Sequence, residues 1–113
     1  MSDESELPLR ATVQIDPGVC RLHSTIQAST DGVVVDFEVM HSECPQVRNL
    51  NKVLRRMEIW EIMRMPFNEN KVYEICGDML KHSSCPVPVA MIKCAEAAAE
   101  LALKKPVLIE FVG

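Results

Sequence analysis

The sequence predicts an α+β two-layer sandwich in which helices cover one face of a small antiparallel sheet. Apolar and polar residues alternate over residues 10–39, and the period changes to three and four from Val47 onward. The two patterns are segregated along the chain rather than interleaved, which argues against a parallel sheet with crossover helices. The chain has 113 residues, 48% apolar and 25% charged, and this suits one domain able to bury its own core. Residues 1–8 are expected to be a flexible N-terminus, and residues 9–113 a single domain.

Val13 and Ile15 alternate with Thr12 and Gln14, and Asp16-Pro17-Gly18 supplies turn chemistry, so residues 10–15 form the first predicted strand. Leu22, Ser24, Ile26 and Ala28 alternate with His23, Thr25 and Gln27. After the turn cluster Ser29-Thr30-Asp31-Gly32, the sequence Val33, Val35, Phe37 and Val39 continues the same apolar face. The result is a three-stranded meander, with His23, Thr25, Gln27, Asp36 and Glu38 on its solvated side. From Pro45, Val47, Leu50, Val53, Leu54 and Met57 give a helix to about Met57, with Ser42 or Cys44 as its cap. Ile59 to Met63 adds a turn or two before Met65-Pro66. Asn68 or Asn70 caps a third helix with Val72, Ile75, Cys76, Met79 and Leu80 on its inner stripe. Ser84-Cys85-Pro86 opens a long alanine-rich helix through Leu103, and Val107 to Val112 reads as a fourth, C-terminal strand. The order of the strands in the sheet is not legible.

Composition narrows the function. Net charge is -4, and no basic cluster exceeds Arg55-Arg56 or Lys104-Lys105, so nucleic acid is not an expected partner. No stretch approaches the roughly 20 apolar residues of a membrane span, and the acidic start (Asp3, Glu4, Glu6) is unlike a signal peptide. A cytosolic protein with reduced thiols is the expectation for five cysteines in this context. A protein partner is left open, as is the oligomeric state. With four glycines and no phosphate-cradling glycine loop, nucleotide binding is unsupported. Asp36 and Glu38 read as a solvated face, and Met57, Met63, Met65 and Met79 as adaptable core filler.

Chemistry concentrates in the cysteines. His41-Ser42-Glu43-Cys44-Pro45 and His82-Ser83-Ser84-Cys85-Pro86 repeat the string H-S-x-C-P, and Cys20 with His23 repeats the spacing of three in reverse. A cysteine at the first turn of a helix meets unpaired amides and the positive end of the dipole, which favour the thiolate that a metal or an electrophile needs. Strand parity puts Cys20, before the second strand, and Cys44, after the third, at one end of the sheet. Cys20, Cys44 and Cys85 with His82 make a Cys3His set for zinc or an iron-sulfur cluster. Two other readings stand beside it: Cys85 as the nucleophile of a thiol enzyme or sulfur carrier, and a plain interaction domain with structural cysteines. Cys76 and Cys94 lie on apolar helical stripes and read as core. His23 and His41 read as surface residues.

Pro17-Gly18-Val19-Cys20, Ser42-Glu43-Cys44-Pro45, Val72-Tyr73-Glu74 and His82-Ser83-Ser84-Cys85-Pro86-Val87-Pro88 resemble a family of uncharacterised small proteins from anaerobic archaea and clostridia. That resemblance spans nearly the whole chain and rests on Cys20, Cys44, His82 and Cys85. The order of strand, cysteine turn, two strands, cysteine at a helix start, helices and a last cysteine is similar to NifU/IscU-type iron-sulfur scaffolds. Arg21-Leu22 stands where those scaffolds carry glycine-aspartate, and Glu43-Cys44-Pro45 replaces their glycine-flanked second cysteine.

Overall fold

A computed structural model describes residues 8–113. Strands β1 (Leu9–Ile15), β2 (Ser24–Thr30) and β3 (Val34–Ser42) form the expected meander. A two-residue strand, β4 (Met57–Glu58), completes an antiparallel sheet of order β1-β2-β3-β4. Alternation sets the inner face: Ala11, Ile15, Ile26, Ala28, Val35, Phe37 and Val39 are buried, while Arg10, Thr12, Asp36 and Glu38 are exposed. The β2–β3 turn is held by its own side chains. Asp31 Oδ1 accepts from the amides of Val33 (2.9 Å) and Val34 (3.0 Å), and those bonds hold the Asp31 carboxyl below the usual carboxylate range.

The helices α1 (Pro45–Arg48), α2 (Ile59–Ile62), α3 (Lys71–Met79) and α4 (Val87–Ala98) cover the apolar face, so the α+β class and the helical layer are as expected. Helix α4 lies across β1 and β2, burying Val87, Met91, Cys94, Ala95 and Ala98. Asn70 caps α3 as the sequence predicts, accepting from the amides of Val72 and Tyr73. Its Nδ2 also donates to the Ile62 carbonyl at 2.6 Å. No helix among the described residues is long and apolar enough to cross a membrane.

Three elements differ from expectation. The helix predicted to reach Met57 ends at Arg48, passes through a 3-10 turn at Asn49–Lys52, and gives way to β4. Asn51 explains the change, because its amide pairs with both backbone groups of Val39 (Oδ1 from N, 2.9 Å; Nδ2 to O, 3.0 Å) and ties this segment to the edge of β3. The last helix stops at Ala98 rather than Leu103. Glu100 adopts a left-handed conformation (φ 62°), and the bonds Leu101 N to Glu96 O (2.8 Å) and Glu100 N to Ala97 O (3.1 Å) close a Schellman motif. The fourth strand is β4 and not Val107 to Val112, which has no regular structure and is exposed throughout. A strand requires a paired neighbour, and the motif at Glu100 directs the chain off the sheet. Of the eight residues expected to be flexible, residues 1–7 lie outside the described ones.

Candidate functional site

At one end of the sheet the β1–β2 connection faces the exit of β3. Asp16 Oδ1 accepts from the Gly18 amide at 3.0 Å, Gly18 takes a φ of 83°, and the Arg21 amide donates to the Gly18 carbonyl at 3.0 Å. Arg21 is itself left-handed (φ 62°), which is uncommon for a residue with a Cβ. Cys20 sits exposed in this turn. The ladder then pairs Ser24 with Ser42, whose buried hydroxyls meet at 2.7 Å. One step beyond, the Glu43 amide donates to the His23 carbonyl at 2.9 Å, and the His23 amide donates to Glu43 Oε1 at 2.9 Å. The His23 ring reaches Glu43 Oε1 (3.4 Å, from Nδ1) and Asp16 Oδ1 (3.5 Å, from Nε2). These hydrogen bonds, together with the His23 charge, lower the Glu43 pKa. The turn of Cys20 is thereby fastened to the segment of Cys44.

Cys44 is the residue ahead of α1 and is half-buried. Its amide donates to Ser42 Oγ at 3.0 Å, and its carbonyl accepts the Arg48 amide at 3.0 Å. The α3–α4 connection reaches the same place through one bond, from the Lys81 amide to Gln46 Oε1 at 3.0 Å. Cys85, half-buried, lies at the end of that connection, with its amide donating to the His82 carbonyl at 3.2 Å. Burial raises the Cys85 pKa; the Val87 amide opposes this, and negative charge on Cys44 and on Cys20 raises it further. Cys20, Cys44 and Cys85 thus come from three different segments, joined by the His23–Glu43 and Lys81–Gln46 bonds. The helix start was expected to favour the Cys85 thiolate, but burial outweighs the single amide, and the net direction is upward.

The four expected ligands are placed unequally. Cys20, Cys44 and Cys85 gather at one end of the sheet, whereas His82 is exposed and, among the described residues, its ring makes no hydrogen bond. Among the described residues no group of three or more His, Cys, Asp or Glu stands close enough to hold a metal ion as placed. Cys76 and Cys94 are core residues. Burial, with a smaller contribution from Cys85, pushes Cys76 up to about 12, and its Sγ lies 3.9 Å from Met91 Sδ. Burial likewise raises Cys94, whose Sγ points at the Ala11 carbonyl, 3.2 Å away. Sequence reasoning missed the link between His23 and Glu43. Its only trace is that each residue lies within three positions of a cysteine.

The chain belongs to a family of unknown function, DUF6951, whose model matches residues 11–111. No curated protein matches it. No solved structure does either.

Proposed function

We propose that this is a small metal-binding protein, with Cys20, Cys44 and Cys85 as thiolate ligands and His82 as the fourth. The observation that carries the reading is that two cross-links, His23 with Glu43 and the Lys81 amide with Gln46, bring the turn of Cys20 and the connection ahead of Cys85 to the segment of Cys44. A cation bound between the three sulfurs would take them as thiolates and offset the burial that holds the proton on Cys85. Cys20 is the most accessible of the three. It is exposed, in a turn held by surface bonds of Asp16, His23 and Glu43, so its closure onto the half-buried pair breaks no core contact. His82 stands three residues ahead of Cys85 and is already in solvent, which leaves its imidazole available to complete a tetrahedral set.

Zinc fits a Cys3His set, and an iron-sulfur cluster is the other form, in keeping with the similarity of cysteine order to the scaffold family. Five free thiols accord with a reducing compartment such as the cytosol. A nucleophilic role for Cys85 is the weaker reading, because a thiol with a raised pKa is little ionised at neutral pH.

Metal analysis and the absorption spectrum of anaerobically purified protein test this. One zinc per chain, or visible sulfur-to-iron absorption, is expected, and Cys44→Ser should abolish it while Cys94→Ala retains it. Cobalt(II) added to the metal-free protein should give a thiolate charge-transfer band. Metal-free protein that gives no such band with cobalt and takes up no zinc would end the proposal.

A further inference from the structure

Among the described residues, the segment from Val107 to Val112 and the outer edge of β1 are each without a strand partner in a single chain, and the geometry points to their pairing between two copies. Five of the six residues from Val107 to Val112 are apolar, yet Phe111 and Val112 are 96% and 100% exposed. A run this apolar and β-prone, left in water, marks an interaction surface. β1 is the sheet's edge, and among the described residues nothing pairs with its outer side. Its seven residues and the six of the segment have nearly the same extended length.

Side-chain parity selects a register. Antiparallel pairing of Ile109 with Ala11 sets Phe111 beside Leu9 and Val107 beside Val13, extending the face that already buries Ala11 and Ile15. The opposite face then brings Glu110 against Arg10, a pair of opposite charges across neighbouring strands. The chain's own segment reaches this register only when almost fully extended. Residues through Lys104 line an open groove beside Leu9 and Arg10, and Val107 would have to stand beside Val13. From Arg10 three strand residues advance about 10 Å to Val13, and three residues of chain span at most about 11 Å. The Lys105 amide, bonded to the Leu103 carbonyl at 2.9 Å, shortens that reach further. A parallel return onto the chain's own β1 that starts with Val107 beside Leu9 would put Leu108, not Glu110, against Arg10. A second copy meets both conditions, and reciprocal exchange about a two-fold axis doubles the contact and closes the assembly at two chains. The family match runs through Phe111, so the segment is part of the family's own domain.

Sedimentation equilibrium of the full chain, with reductant and chelator to exclude disulfide and metal bridges, tests the proposal. The expected mass is twice 12.7 kDa. Ile109→Lys should weaken the dimer by more than about tenfold, with an unchanged circular dichroism spectrum because Ile109 is 84% exposed within its own chain. Arg10→Glu and Glu110→Arg should each weaken it severalfold, and the double variant should recover most of the loss. A monomeric wild type at all concentrations overturns the proposal, as does a dimer indifferent to Ile109→Lys. Open-ended assembly overturns the closed exchange. So does a monomer with protected amides in residues 107–112, which would place the strand on its own sheet.

Discussion

Cys76 and Cys94 share a side chain with Cys20, Cys44 and Cys85 and almost nothing else. The first two lie beneath α3 and α4, at 2% and 0% exposure, where burial keeps the proton on sulfur and the thiol serves as a small apolar filler. The other three stand where strands and helices end, Cys20 exposed and Cys44 and Cys85 half-buried. Chemical potential in a cysteine is set by its position relative to the sheet: under the layer it is inert, and at the layer's end it is available.

The comparison breaks most visibly at the core. Met91→Ala removes the side chain against Cys76 and should cost about 2–5 kcal/mol in denaturant unfolding, while opening Cys76 to alkylation. Next comes alkaline pH. The folded state keeps the Cys76 proton that the unfolded chain releases near pH 9, so the folded state holds more protons and stability falls as pH rises. The fall should begin near pH 9 and amount to about 4 kcal/mol for Cys76 by pH 12, where the folded thiol ionises; Cys76→Ala should flatten it. Zinc at about 100 times its Kd should raise stability by about 2.7 kcal/mol. That gain should vanish in Cys44→Ser and persist in Cys94→Ala. Smallest of all, Cys20→Ser in metal-free protein should change stability by less than about 0.5 kcal/mol. In the same state Cys20 should be the first thiol alkylated, and Cys76 and Cys94 should react only through opening of the fold.

Local chemistry was legible and long-range pairing was not. Alternation from Val13 to Val39 gave the meander and its inner face, Asp31-Gly32 gave the turn, and Asn70 gave the cap, because each rests on residues adjacent in sequence. Asn51 reaches Val39 across twelve positions, so the early end of α1 and the existence of β4 left no local mark. The Schellman closure uses Glu100 where glycine is the usual signal, which hid the end of α4. Strand parity foretold that Cys20 and Cys44 share an end, whereas the arrival of Cys85 depends on the Lys81 to Gln46 bond, which joins residues 35 positions apart.

One buried amide governs more of the molecule than its size suggests. Asn70 holds Ile62 and Arg64 with its nitrogen and Val72 and Tyr73 with its oxygen, so two helices of different axis share a single rivet. A variant that loosens it, such as Asn70→Ala, would free the start of α3, whose far end leads the chain toward Cys85. A side chain remote from that thiol therefore shares in placing it.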